Sequence, residues 1–229
     1  PSSRYRVLQY FPHLEQAGFT CEARPFPSSW WTWGRTLRWI RSLDLLILHR
    51  KRPSALRLRQ IRKAARRLVY DVDDAVMYRD TLSPGRQESA GRKRRFAATV
   101  KAADLVIVGN RYLERHAREH TDRVAVLPTA VDLESYAPRT WPRHTGPIIM
   151  GWIGDTGSVA YLENQKDLFD ALGRNVPGMI LRVLSSRFPK FRRLKVEPVR
   201  WTEENEAETL RTFDIGVMPL PDDPWSKGK

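Results

Sequence analysis

Cysteine is almost missing from this chain: Cys21 is the single one in 229 residues. An internal disulfide is therefore excluded, and the expected setting is a reducing, cytoplasmic one. Long hydrophobic runs are missing too. The longest, such as 43–48, fall far below the ~18 residues a membrane-spanning helix needs, and no signal peptide is visible. The five histidines, at 13, 49, 116, 120 and 144, show no metal-ligand spacing. His116 and His120 are four apart, but in a helix full of Arg and Glu that pattern reads as a solvated face, so no metal is expected. Neither the G-x-S-x-G elbow of serine hydrolases nor the G-x-G-x-x-G dinucleotide fingerprint occurs. Internal repeats and low-complexity tracts are absent as well. Because the chain starts at Pro1 and stops in a loop, it reads as truncated at both ends.

Charge is where the composition becomes specific. Residues 1–143 carry 28 Lys+Arg against 14 Asp+Glu, and the remainder 12 against 12, so the whole net charge of +14 belongs to the first part. Such asymmetry predicts two units with different partners. Short apolar runs at 19–26, 44–49, 67–72, 104–109 and 124–127 read as buried parallel strands. Helical patterns lie between them: Leu58, Ile61, Ala65 and Leu68 form one apolar stripe, Phe96, Val100 and Ala103 another, and Asn110 is placed to cap residues 111–119. This alternation predicts an α/β fold with two doubly wound parallel-sheet domains, the first over 1–134. A Pro/Gly-rich linker follows at 135–147, and an incomplete second domain at 148–229. The latter is expected to contain strands at 148–153, 179–184, 194–199 and 214–220, with helices at 158–172 and 203–212.

Several stretches could carry chemistry. A strand runs into the turn Gly154-Asp155-Thr156-Gly157-Ser158 and then a helix start. Free N–H groups and the helix dipole suit that turn to phosphate, and an ordinary turn capped by Thr156 or Ser158 is the alternative. Asp71, Asp73 and Asp74 end a strand where α/β folds place function. One of Asp73 and Asp74 could act as base toward an acceptor hydroxyl, with helix capping as the alternative; alternation sends Asp71 and Asp73 to one face and Asp74 elsewhere. Near the end, 214–220 reads as a buried strand opening into a proline-stiffened loop with Lys227 and Lys229. Those lysines either neutralise a leaving group or are simply solvated. Trp30, Trp31, Trp33 and Trp39 are interleaved with arginines, upstream of the basic clusters 50–52 and 92–95. The combination suits an anionic membrane surface, or else a core of tryptophans beneath a solvated basic face.

Taken in order, Ser3-Arg4-Tyr5-Arg6, Tyr70-Asp71-Val72-Asp73-Asp74, Leu127-Pro128-Thr129-Ala130-Val131-Asp132, Gly151-Trp152-Ile153-Gly154 and Asp214-Ile215-Gly216-Val217-Met218-Pro219-Leu220 resemble the motifs of GT-B glycosyltransferases of the family 4 type. The resemblance covers nearly the whole chain. It implies two Rossmann-like domains, the first lacking its opening strand, and transfer of a sugar from a nucleotide diphosphate-sugar to an acceptor hydroxyl with retention at the anomeric carbon. It also implies that the donor is held as a substrate without metal or other cofactor. Under the resemblance Asp73 and Asp74 are the catalytic candidates. The donor would meet Gly154, Asp155, Thr156, Gly157, Ser158, Arg182, Trp201, Lys227 and Lys229. Arg4, Arg6 and His49 would face the acceptor, a glycan or lipid-linked molecule. The family's acidic E-x7-E motif would fall mostly beyond Lys229.

Two other readings follow from the same residues. A net charge of +14 with arginine-interleaved aromatics is the footprint of a nucleic-acid-binding protein, although no recognition motif accompanies it. Truncation at both ends would instead make the chain an inactive glycosyltransferase fragment. The expected location is cytoplasmic, peripheral on the inner face of the membrane.

Overall fold

The computed structural model describes residues 2–138 and 146–229. The fold is α/β and Rossmann-like, with two four-stranded parallel sheets. One unit comprises Pro1–Ala130 together with Asp222–Lys229, the other Val131–Pro221. The chain thus changes unit at 130/131 rather than at 134, and its last eight residues belong to the first unit rather than to the second domain expected from the sequence. Most of the expected linker, residues 139–145, lies outside the described residues.

The first unit opens with α1 (Ser2–Arg6), α2 (Phe11–Gln16) and α3 (Trp33–Ser42). It continues through β1 (Leu45–His49), α4 (Ala55–Ala64), β2 (Arg67–Val72), α5 (Ala90–Ala102), β3 (Leu105–Val108), α6 (Arg111–Arg118) and β4 (Val124–Val126). Its strands lie side by side in chain order. In-register neighbours share a face, so Leu46 and Leu48, Leu68, Tyr70 and Val72, and Val106 and Val108 form one surface. That surface packs against Ile40, Ile61, Phe96, Val100 and Leu113 from the helices. The helices start where polar side chains satisfy orphan amides: Ser54 accepts from Arg57, Ser89 from Arg92 and Asn110 from Leu113. On the opposite face Leu45, Ile47 and Leu105 are substantially exposed, whereas Asp71 is buried.

Residues 19–26, expected as a strand, are irregular. Pro25, within the stretch, and Pro27, just past its end, supply no ladder donor, and the carbonyl of Pro27 is taken by the Arg57 side chain at 3.0 Å.

The second unit contains β5 (Ile149–Ile153), α7 (Val159–Glu163), α8 (Lys166–Asn175), β6 (Ile180–Ser185), β7 (Lys195–Arg200), α9 (Glu203–Arg211) and β8 (Ile215–Gly216). Its strand order is β7-β6-β5-β8, so the winding reverses at β5. Met150 and Trp152 of β5 pack with Leu181 and Val183 of β6 and with Val159, Leu162 and Phe169 of the helices. Gly151 has no room for a side chain, because a Cβ there would lie 1.9 Å from the Phe213 ring.

Two expectations for this unit change. The single helix over 158–172 is divided at Asn164 and Gln165 into α7 and α8, and of the two Asn164 is the poorer helix former. The strand over 214–220 shrinks to two exposed residues at the sheet edge. Pro219 and Pro221 cannot donate to a ladder, and Met218 is exposed rather than buried.

Candidate functional site

The carboxyl ends of β1 and β2 hold a dense charge cluster. His49 and Asp71 are register partners on these two strands, and the shared face brings the His49 Nδ1 to 2.7 Å from the Asp71 carboxylate. The Arg6 guanidinium meets the other Asp71 oxygen at 2.5 Å and donates to the carbonyl of Leu127. Arg6 and Asp71 are both buried. Burial alone would push the Asp71 carboxyl up. Hydrogen bonds from His49 and Arg6, with the Arg6 charge, hold it below its ordinary value instead. Arg6 is thereby committed to a buried ion pair. Arg4 lies over the ring of Tyr5 and bonds its hydroxyl at 2.8 Å.

The alternation read from the sequence separates the next two carboxylates. Asp73 lies on the His49 side, 3.9 Å from Nε2, with the Arg50 Nε at 3.4 Å. Its Oδ1 is buried and accepts no hydrogen bond. Burial pushes the Asp73 carboxyl up, the Arg50 charge opposes this, and neighbouring Asp74 adds to the rise. Asp74 is instead neutralised by two cations, the Arg50 guanidinium and the Lys229 ammonium, the latter at 2.7 Å. Of the pair, Asp73 is the better candidate for a proton acceptor: its Oδ1 accepts no hydrogen bond and its pKa is raised. Arg50 makes these contacts from a left-handed backbone (φ 57°), the one non-glycine residue with positive φ among those described.

Lys229 reaches Asp74 because residues 222–229 fold back onto the first unit. Trp225 inserts into its core, Thr81 donates to Asp223 at 2.9 Å, and Asp223 in turn caps Ser226 at 2.8 Å. The donor-side role expected for Lys229 thus meets an acidic partner already in place. Lys227 is half-exposed and pairs with Asp222 at 3.0 Å.

In the second unit the turn after β5 stands where the sheet order reverses, the position at which doubly wound sheets hold ligands. Gly154 is required by packing, since a Cβ would lie 2.4 Å from the Trp152 ring. Neither Thr156 nor Ser158 caps the helix start. The Asp155 carboxylate instead closes the turn before it, accepting from the amide of the N-cap residue Ser158 at 2.7 Å. An anion at this turn would share it with that carboxylate. Arg182 is in mid-strand, held by Glu197 of the neighbouring strand at 2.9 Å. Trp201 follows the end of β7; its indole donates to Glu206 at 2.6 Å, leaving the ring part exposed.

Arg52, Arg92 and Trp225 are not among the site residues the sequence predicts. The two basic clusters at 50–52 and 92–95 were legible as charge. Their convergence on one cavity, with Trp225 as its wall, was not. Among the described residues no group of three or more His, Cys, Asp or Glu could hold a metal ion, and no helix is long and apolar enough to cross a membrane.

No protein-family model matches the chain, and no curated protein sequence does. Among solved structures it is similar to a chain in the crystal structure of accessory secretory protein 1, 2 and 3 in Streptococcus pneumoniae, with a TM-score of 0.45, 8% identity and 81% of this chain covered. The chain spans 39% of the length of that protein.

Proposed function

We propose that the chain is a glycosyltransferase of the GT-B, family 4 type, which moves a sugar from a nucleotide diphosphate-sugar to an acceptor hydroxyl. The observation that carries this reading is the reversed strand order at β5. It puts the turn at 154–158 and the segment after β8 at the carboxyl ends of β5 and β8, the kind of position at which doubly wound sheets bind nucleotides. Family resemblance adds retention of the anomeric configuration and a glycan or lipid-linked acceptor.

In this reading the bond between the anomeric carbon and the diphosphate oxygen breaks, and a bond from that carbon to the acceptor oxygen forms. The acceptor proton passes to a base, and Asp73 is suited to take it because its carboxyl is raised and its Oδ1 accepts no hydrogen bond. The basic first unit, with the stacked and exposed Trp30 and Trp31, fits an acceptor carried on an anionic membrane surface.

A thermal-shift panel of UDP, GDP and their sugar conjugates, without added metal, tests the donor half. One nucleotide family should raise the melting temperature, since a ligand at about 100 times its Kd stabilises by ~2.7 kcal/mol. Absence of any shift, together with no release of nucleotide from labelled sugar donors, overturns the proposal. Binding of oligonucleotides that persists at high salt would favour a nucleic-acid-binding protein instead.

A further inference from the structure

The loop after β1 and the start of α5 close on a cavity of about 470 Å³ in the first unit, lined by His49, Arg50, Lys51, Arg52, Arg92 and Trp225. Arg50 is engaged with Asp73 and Asp74. Among the described residues no carboxylate pairs with Lys51, Arg52 or Arg92. Two donors at this cavity are stranded: the Nε of Arg52 and the Nε1 of Trp225 are buried and have no hydrogen-bond partner. Trp225 is 7% exposed. Buried polar groups without partners are rare in folded proteins and call for an explanation. The fully buried Tyr70 hydroxyl, also unpartnered, lies within the field of Arg52.

We infer that this cavity binds a phosphate group, carried as a monoester or diphosphate on a small molecule. A phosphate supplies the acceptors that Arg52 and Trp225 lack, and a planar guanidinium fork matches its geometry. Three cations without acidic partners favour a dianion over a carboxylate. The cavity's volume is that of a small-ligand site, which a nucleic-acid duplex does not enter. Phe26 and Val76 complete the lining and give the organic part of the ligand an apolar wall. Burial, and next the charge of Arg92, lower the pKa of Arg52, the response of crowded cations that an anion would relieve. Phosphate binding here does not depend on glycosyl transfer by the second unit. If that reading also holds, the first unit receives a phosphorylated acceptor.

The test is calorimetric titration of the full chain at constant ionic strength with inorganic phosphate, pyrophosphate and a sugar phosphate monoester. Chloride serves as the blank, and circular dichroism confirms that each variant is folded. Arg52→Gln and Trp225→Phe, the latter removing the N–H while keeping an aromatic ring in its place, should each weaken binding by ~10-fold or more. Arg94→Gln, an equal loss of charge on the exposed side of α5, should leave it within about twofold. Tighter binding of the monoester than of inorganic phosphate marks a phosphorylated small molecule; the reverse order marks the free anion, and either supports the site. Heats equal to the chloride blank overturn the inference. So does an unchanged Kd in both pocket variants, or an equal loss in Arg94→Gln. Because none of these readings uses a nucleotide-sugar, failure here is distinct from failure of the transfer reaction.

Discussion

Arg6 and Asp71, 65 residues apart, form an ion pair at 2.5 Å whose side chains are 2% and 5% exposed. Removing one partner strands the other charge in a dry setting. Arg6→Met or Asp71→Asn should therefore cost ~3–5 kcal/mol in urea unfolding, while replacing both with apolar residues should cost much less. The folded pKa of Asp71 is depressed. Its contribution is thus present above the unfolded value near 4 and is lost as pH falls through the folded one. Asp71→Asn should accordingly flatten the acid limb of the stability profile below about pH 4.

Asp73 carries the opposite sign. Its carboxyl is raised by burial, so the fold favours the protonated form. That contribution is present below pH ~4 and lost as pH rises through the raised pKa. Asp73→Asn should raise the melting temperature at pH 7, by ~0.5–1 kcal/mol in free energy, with the gain vanishing toward pH 4. Under the proposed function the same variant should lose ~100-fold or more in sugar transfer. A variant both less stable at pH 7 and fully active would remove Asp73 from the site.

The return of residues 222–229 to the first unit can be tested at Gly228, where a Cβ would lie 2.5 Å from the backbone nitrogen of Ala75. Gly228→Ala should lift the tail at a cost of ~1–3 kcal/mol and separate Lys229 from Asp74. Limited proteolysis reads this as faster cleavage near 217–221. Gly216→Ala, which meets nothing within 4 Å, is the control and should leave the cleavage rate unchanged.

Local pattern made much of the first sheet legible. Leu58 and Ile61 are buried on α4 as their spacing required, whereas Ala65 and Leu68 of the expected stripe are buried past its end, as the C-cap of α4 and in β2; Asn110 caps α6 with its side chain accepting from Leu113 at 2.9 Å. Period-two alternation also separated Asp73 from Asp74. What periodicity could not supply was partnership. Lys229 finds Asp74 across 155 residues, and Arg52 is notable for having no carboxylate partner among the described residues while Arg50 has two. Both facts depend on which chain segments are brought together, and neither leaves a local mark. The 19–26 stretch failed for a different reason: its apolar content resembled a strand, but a ladder requires donors that prolines do not have.

The turn at 154–158 offers the sharpest test of the donor reading, because Asp155 already holds the amide a phosphate would seek. Asp155→Asn keeps an oxygen in the position that closes the turn, and asparagine, like aspartate, suits such turns; the fold should change by less than ~0.5 kcal/mol. It removes one negative charge from the place proposed for a diphosphate. Two anions competing for one helix start repel, so the variant should bind the preferred nucleoside diphosphate more tightly, by ~3- to 10-fold in calorimetric titration, with the effect shrinking as salt rises. If Asp155 were instead needed to hold the ligand, through a water or a sugar hydroxyl, affinity would fall and the fall would persist at high salt. Either change would locate a ligand at the switch point of the second sheet; equal affinity in the two proteins would place the nucleotide elsewhere.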